Sequence, residues 1–61
     1  MDEKYKVVYR FKYRYSFEHI IECDSLTEAV DKFNKVINVY RDLDYVKIIW
    51  GNSELQFYEF E

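Results

Sequence analysis

Residues 24–40 read DSLTEAVDKFNKVINVY, and they decide the fold. Ser25 stands three residues before Glu28, the spacing at which a serine side chain accepts from the Glu28 amide while the glutamate reaches back to the Ser25 amide. From there Leu26, Ala29, Val30, Phe33, Ile37 and Tyr40 recur at steps of three and four, an apolar stripe of helical period that Val36 and Val39 widen. Glu28, Asp31, Lys32, Asn34, Lys35 and Asn38 fill the other side. The pattern predicts one helix over about 26–41, followed by a short acidic connection, Asp42-Leu43-Asp44.

On the N-terminal side the period changes to two. Tyr5, Val7, Tyr9, Phe11, Tyr13 and Tyr15 alternate with Lys4, Lys6, Arg10, Lys12, Arg14 and Ser16, Val8 being the exception. Such alternation reads as strand, because successive side chains point to opposite faces. Apolar residues resume at Phe17 and run through Ile20, Ile21 and Cys23 with no turn former before Asp24. Residues 4–23 therefore admit a hairpin or one long strand, and the hairpin is preferred: twenty extended residues would span about 65 Å, more than one helix supports. A three-residue loop sets strands of about 4–13 and 17–23, with Phe11 opposite His19, Tyr9 opposite Ile21, Val7 opposite Cys23 and Lys12 opposite Glu18.

On the C-terminal side Tyr45 to Trp50 is a β-rich run, Gly51-Asn52 suits a two-residue turn, and Glu54 to Phe60 alternates again. With Trp50 opposite Ser53, the pairs Ile48–Leu55 and Val46–Phe57 share a predicted core face, and Ile49–Glu54, Lys47–Gln56 and Tyr45–Tyr58 share the other. The whole chain, 1–61, is then a single α+β domain of order ββαββ: strands at about 4–13, 17–23, 45–50 and 54–60 in one antiparallel sheet, with the helix packed on one face.

Sixty-one residues hold one small core, and domains of this size often need a staple. A single cysteine and a single histidine supply neither a disulfide nor a metal site, which leaves self-association. The absence of a basic-plus-apolar leader and of any long apolar run predicts a cytoplasmic protein that does not cross a membrane. Net charge is −3, unevenly spread: residues 1–15 hold five basic and two acidic groups (+3), residues 16–61 four and ten (−6).

Coverage makes the case for a partner. Four strands of about six residues form a sheet of roughly 20 Å by 19 Å, and a helix about 10 Å wide shields little more than half of one face. The other face is predicted to carry Val8, Ile20, Ile49, Tyr45, Tyr58 and Phe60. Exposed apolar patches of that size mark binding surfaces, and the simplest cover is a second copy, giving a homo-oligomer with Val8, Ile20, Ile49, Tyr58 and Phe60 at its interface.

Catalysis is hard to assemble from these residues. His19 and Cys23, four apart on one strand, lie about 13 Å from each other, too far for a nucleophile–base pair or a shared metal, and Glu18 and Glu22 are as far apart. The only glycine sits in a hairpin, so no loop cradles phosphate. The reading is of a non-enzymatic protein with no cofactor and no metal. Nucleic acid is disfavoured as a partner, since alternation sends cations and rings to opposite faces and the net charge repels phosphate; nucleic-acid mimicry by Glu18, Glu22, Asp24, Asp42, Asp44, Glu54, Glu59 and Glu61 ranks lower still. If copies meet across their sheets, Arg10, Lys12 and Arg14 of one would face Tyr45, Trp50 or Tyr58 of another, pairing cationic forks with stacking rings in a pocket suited to a nucleotide-like small molecule. A purely structural self-associating protein is the alternative.

Asp24-Ser25-Leu26-Thr27-Glu28-Ala29-Val30, flanked by Tyr- and Lys-rich strands, resembles the small ββαββ proteins of tailed phages and mobile elements. The resemblance covers nearly the whole chain and transfers no functional residue. It implies an inhibitor that binds a host protein or sequesters a small signalling molecule.

Overall fold

The structure is a computed structural model, and it describes residues 4–13 and 17–60. Five elements follow one another: β1 (Tyr5–Phe11), β2 (His19–Cys23), α1 (Leu26–Val39), β3 (Leu43–Trp50) and β4 (Ser53–Glu59). The strands form one antiparallel sheet of order β2-β1-β3-β4, and α1 packs on one face. This is the α+β ββαββ arrangement that the sequence predicts. The hairpin reading of residues 4–23 holds, β1 and β2 being antiparallel neighbours; its expected reversal at 14–16 lies outside the described residues.

The helix begins at its cap. The Glu28 N–H donates to the Ser25 Oγ at 3.1 Å, and the Glu28 carboxylate accepts from the Asp24 N–H at 3.2 Å rather than from the expected Ser25 amide, so the reciprocal contact is made one residue earlier. The helix ends two residues sooner than expected, because Tyr40 already has extended backbone. Asp42 then takes a left-handed conformation (φ 62°), which aspartate tolerates better than most non-glycine residues, and its carbonyl accepts from the Lys12 N–H at 2.7 Å. That turn lets β3 start at Leu43, which is buried; the acidic connection predicted at 42–44 is in part the first residues of a strand.

The core consists of Val7 and Tyr9 from β1, Cys23 from β2, Ala29, Phe33 and Val36 from α1, and Leu43, Val46 and Ile48 from β3. Val36 is therefore central rather than peripheral, and the buried line on α1 is Ala29–Phe33–Val36. Leu26, Val30 and Tyr40, expected in the stripe, are exposed, Leu26 to 46%. The helix is rolled toward β2: Val36, Val39 and Tyr40 line a shallow groove there with Ile21.

Both hairpins depart from their predicted registers. In β1–β2 the partners are Tyr5↔Cys23, Lys6↔Glu22, Val7↔Ile21 and Tyr9↔His19, two residues from the expected alignment. A shift of two keeps every side chain on its predicted face. What it changes is the pairing: Lys4 bonds Asp24, Lys6 opposes Glu22 and Tyr9 stacks on His19 at 5.1 Å, whereas the expected Lys12–Glu18 pair is not made. The Lys4–Asp24 pair and the Tyr9–His19 stack thus outweigh the one expected ion pair.

In β3–β4 the turn is as predicted, with Trp50 opposite Ser53, Ile49 opposite Glu54 and Gly51 at φ 61°. The register then slips at Leu55, so that Gln56 opposes Ile48, Phe57 opposes Lys47 and Tyr58 opposes Val46. One inserted residue reverses the facing of everything after it. Phe57, expected in the core, turns to the open face, where its ring stacks on Tyr45 at 6.0 Å. Tyr58 turns to the helix side, as does Phe60, which packs against the core and meets the Tyr58 ring at 4.8 Å.

Candidate functional site: the open face of the sheet

With α1 on one side, the other face of the sheet is bare, and its composition follows from the registers. Across the strands, in the order β2-β1-β3-β4, one row holds Arg10, Tyr45 and Glu59, with Glu18, the residue before β2, reaching the Tyr45 hydroxyl; the next holds Ile20, Val8, Lys47 and Phe57; the third Glu22, Lys6, Ile49 and Glu54. The outer strands present acids and the inner strands present cations. An apolar path of Ile20, Val8, Ile49 and Phe57 crosses between them. A concavity of about 650 Å³ opens on this face, lined by Lys6, Val8, Ile20, Glu22, Lys47 and Ile49 among others.

Many of the charges are already matched. Lys4 bonds the Asp24 carboxylate, which raises the Lys4 pKa, and Arg10 lies 3.7 Å from Asp44. Glu18 accepts from the Tyr45 hydroxyl across the breadth of β1. Lys47 sits over the Tyr45 ring at 5.3 Å, and Lys6 has no carboxylate at ion-pair distance among the described residues.

Among the described residues Tyr45 is the ionisable group most altered by its surroundings. Burial, together with the Glu18 carboxylate that accepts from it, pushes its phenol up to about 12 from an ordinary value of 10.0. The fold therefore favours the neutral phenol: that stabilisation is complete below pH 10 and is lost as pH rises through about 12. In an ultraviolet phenolate titration Tyr45→Phe is expected to remove a late step near pH 12; an unchanged late limb would show that Tyr45 ionises with the ordinary tyrosines.

The structure divides the residues singled out in the sequence. Arg10 and Tyr45 are direct cross-strand partners on the open face. Trp50 and Tyr58 lie on the helix side, where Trp50 stacks on Tyr5 at 5.8 Å, so a pocket between open faces would draw on Tyr45 and Phe57 but not on these two. Lys12 is exposed beyond the end of β1, and Arg14 lies outside the described residues. Of the expected interface residues, Ile20 and Ile49 do lie on the open face. Val8 is there too but only 4% exposed, already flanked by Ile20 and Lys47 within one chain. Tyr58 and Phe60 leave the set because of the slip at Leu55. That slip also hid Phe57; the run Phe57-Tyr58 next to Phe60 supplies an apolar residue for either facing.

His19 and Cys23 both serve the packing. The imidazole stacks on Tyr9 and meets the edge of Phe11 at 5.5 Å. The Cys23 thiol is buried, its sulfur 3.9 Å from the Ile21 carbonyl, and burial pushes its pKa up, away from the reactive thiolate. Among the described residues no group of three or more His, Cys, Asp or Glu could hold a metal ion, and no helix is long and apolar enough to cross a membrane.

Fold and face together define a class, a small α+β protein with one helix on a four-stranded sheet and a charged, partly apolar sheet surface left open. No family model matches the chain, and neither a curated protein nor a solved structure matches it.

Proposed function

We propose that the chain is a non-enzymatic binding protein that acts as a homo-oligomer, two copies meeting through their open sheet faces. The observation that carries this reading is the charge order on that face: acid, base, base, acid from β2 to β4, with exposed Ile20 and Phe57 between the charges. Laid in full register about a two-fold axis along the strands, acids would meet acids. Offset by one strand, one outer acidic strand of each copy lies over an inner cationic strand of the other, two matched pairs on either side of an inner strand that meets its own copy, a two-fold arrangement of the kind closed dimers require. Such a dimer covers the apolar path and gives a 61-residue chain the additional burial that its own core lacks.

The concavity would then be enclosed between copies. Lys6 and Lys47 line it, together with Glu18 and Glu22, and the stacked Tyr45–Phe57 pair stands beside it. A small anionic, nucleotide-like molecule held there is the ligand this reading favours; the inhibitor role implied by the resemblance to phage-type proteins, directed at a small molecule or a host protein, belongs to the same class.

Replacing Ile20 and Phe57 together by Lys tests the assembly, since both side chains are exposed and the fold tolerates the change. Sedimentation and native mass spectrometry of the unaltered chain are expected to show a dimer or higher species, and the variant is expected to weaken it at least about tenfold. A monomer at all concentrations, or an assembly indifferent to both substitutions, would remove this reading. Native spectra recorded with added nucleotides report ligand retention in the same experiment, and a dimer that retains none would leave a purely structural oligomer.

A further inference from the structure

The two edges of the sheet are unlike. β4 carries the slip at Leu55 together with Glu54 and Glu59, features that turn away a further strand. β2 has no such slip: its five residues, His19–Cys23, pair with β1 in unbroken register, and it is the outermost strand on its side. An edge of that kind leaves the N–H and C=O of alternate residues open to an extended chain. β2 is also the edge along which α1 leaves a groove of about 190 Å³, with Ile21 as its floor and Lys32, Lys35, Val36, Val39 and Tyr40 as its wall.

Helix and strand run in opposite directions and keep pace. From Lys32 to Tyr40 α1 rises about 12 Å, and from Cys23 back to His19 β2 extends about 13 Å. Both ends of the match are fixed. Burial raises the Cys23 thiol pKa while the Lys32 charge is near enough to act against that rise, and at the other end Tyr40 and His19 both stack on Tyr9. The groove is thus cationic toward Cys23 and apolar toward His19, where Val39 is 64% exposed. Among the described residues no carboxylate lies at ion-pair distance from Lys32 or Lys35. The nearby acids are engaged or turned away: Glu28 accepts from the Asp24 N–H, Asp24 bonds Lys4, Glu22 is on the open face, and Asp31 stands about 100° round the helix from Lys32.

We infer that the β2 edge and the groove beside it bind an extended acidic segment of a partner protein, which joins the sheet as a fifth strand antiparallel to β2. Two of its carboxylates meet Lys32 and Lys35, and an apolar side chain two residues further on meets Val39 and Tyr40. The edge dictates the extended shape, since only a strand matches its open backbone groups. The groove lies over one face of that strand, so it reads every second residue. The two ammonium groups select the charge. A second copy of this chain does not fit. Its β2, paired about the midpoint Ile21, would bring Lys35 of one α1 against Lys35 of the other, and its helix-side residues His19, Ile21 and Cys23 include no carboxylate.

The probe is a synthetic peptide of about nine residues, long enough to pair along β2 and overhang it, centred on Glu-Thr-Glu-Thr-Leu. It is compared with its Lys-for-Glu counterpart and with two forms N-methylated on the amides of one parity or the other. In calorimetry the Glu peptide is expected to bind at least about tenfold more tightly than the Lys peptide. Methylation is expected to abolish binding at one parity and spare it at the other, because only alternate amides face β2. The outward amides of β2 are expected to exchange hydrogen more slowly in the complex. Lys32→Gln with Lys35→Gln, which keeps the apolar stems, is expected to weaken binding at least about tenfold. Phe57→Lys, on the open face of the far edge strand, is expected to leave it unchanged whatever the fate of the homo-oligomer. The inference is overturned if the Glu peptide does not bind, if the Lys peptide binds as well, or if both methylated forms bind. It is also overturned if the β2 amides become protected with protein concentration alone, which would make a second copy the occupant.

Discussion

Phe33→Asp is expected to leave the chain unfolded in water, with the far-ultraviolet circular dichroism of a coil and no cooperative urea transition. Phe33 is 3% exposed at the centre of the buried line on α1. Truncating a buried aromatic costs about 3–5 kcal/mol in lost packing, and a carboxylate placed there has no partner, which adds several more. A domain of this length has roughly 3–9 kcal/mol to lose. Leu26→Asp is the informative contrast. Leu26 belongs to the same apolar pattern, yet it is exposed and sits in the first turn of the helix, where a negative charge is favoured by the backbone dipole. It is expected to change stability by less than about 1 kcal/mol. If both variants unfold, the helix is rolled differently from the arrangement described.

Tyr9→Ala is expected to be the most damaging neutral substitution, lowering stability by about 3–5 kcal/mol in urea denaturation followed by circular dichroism. Tyr9 is buried and is the hub of a ring cluster: it stacks on His19 at 5.1 Å and on Tyr40 at 5.5 Å, and meets the edge of Phe11 at 5.8 Å. Those rings come from β1, from the start of β2 and from the residue that ends α1, so Tyr9 ties three elements at one end of the sheet. Burial, helped by the Tyr40 hydroxyl, raises its phenol pKa, as expected of a group the fold holds neutral. Each ring contact adds about 0.5–1.5 kcal/mol beyond area, which places Tyr9→Ala at the upper end of that range. A loss below about 1 kcal/mol would show that the cluster contributes little.

Much of this was legible before any coordinates. The capping spacing at Ser25 and Glu28 located the start of the helix, the period-two runs located four strands, and Gly51-Asn52 located the second turn, because each depends on contacts within a few residues. What the sequence did not disclose depends on choices between nearly equal partners. The β1–β2 register is settled by Lys4 with Asp24 and Tyr9 with His19 acting together, and only the sheet brings those four side chains together. The slip at Leu55 inserts a residue with no glycine to announce it, and apolar residues at both parities of 55–60 make either facing acceptable locally. The roll of α1 follows from which flank meets β1, which no helical pattern specifies when Val30, Val36 and Ile37 are all apolar. For the same reason the candidate site was half legible: Ile20, Ile49, Arg10 and Tyr45 were placed on a common face, and Phe57 was found only through the slip.

The strand order bears on how the chain comes into being. The middle of the sheet joins Tyr5 to Trp50, segments separated by most of the polypeptide, whereas each outer strand pairs with a near neighbour. During synthesis the first hairpin and the helix emerge with no second inner strand to rest on, and their rings stay wet until residue 50 has left the ribosome. Assembly thus waits for β3, and a product cut short of it would be a substrate for chaperones and proteases rather than a smaller version of the finished molecule.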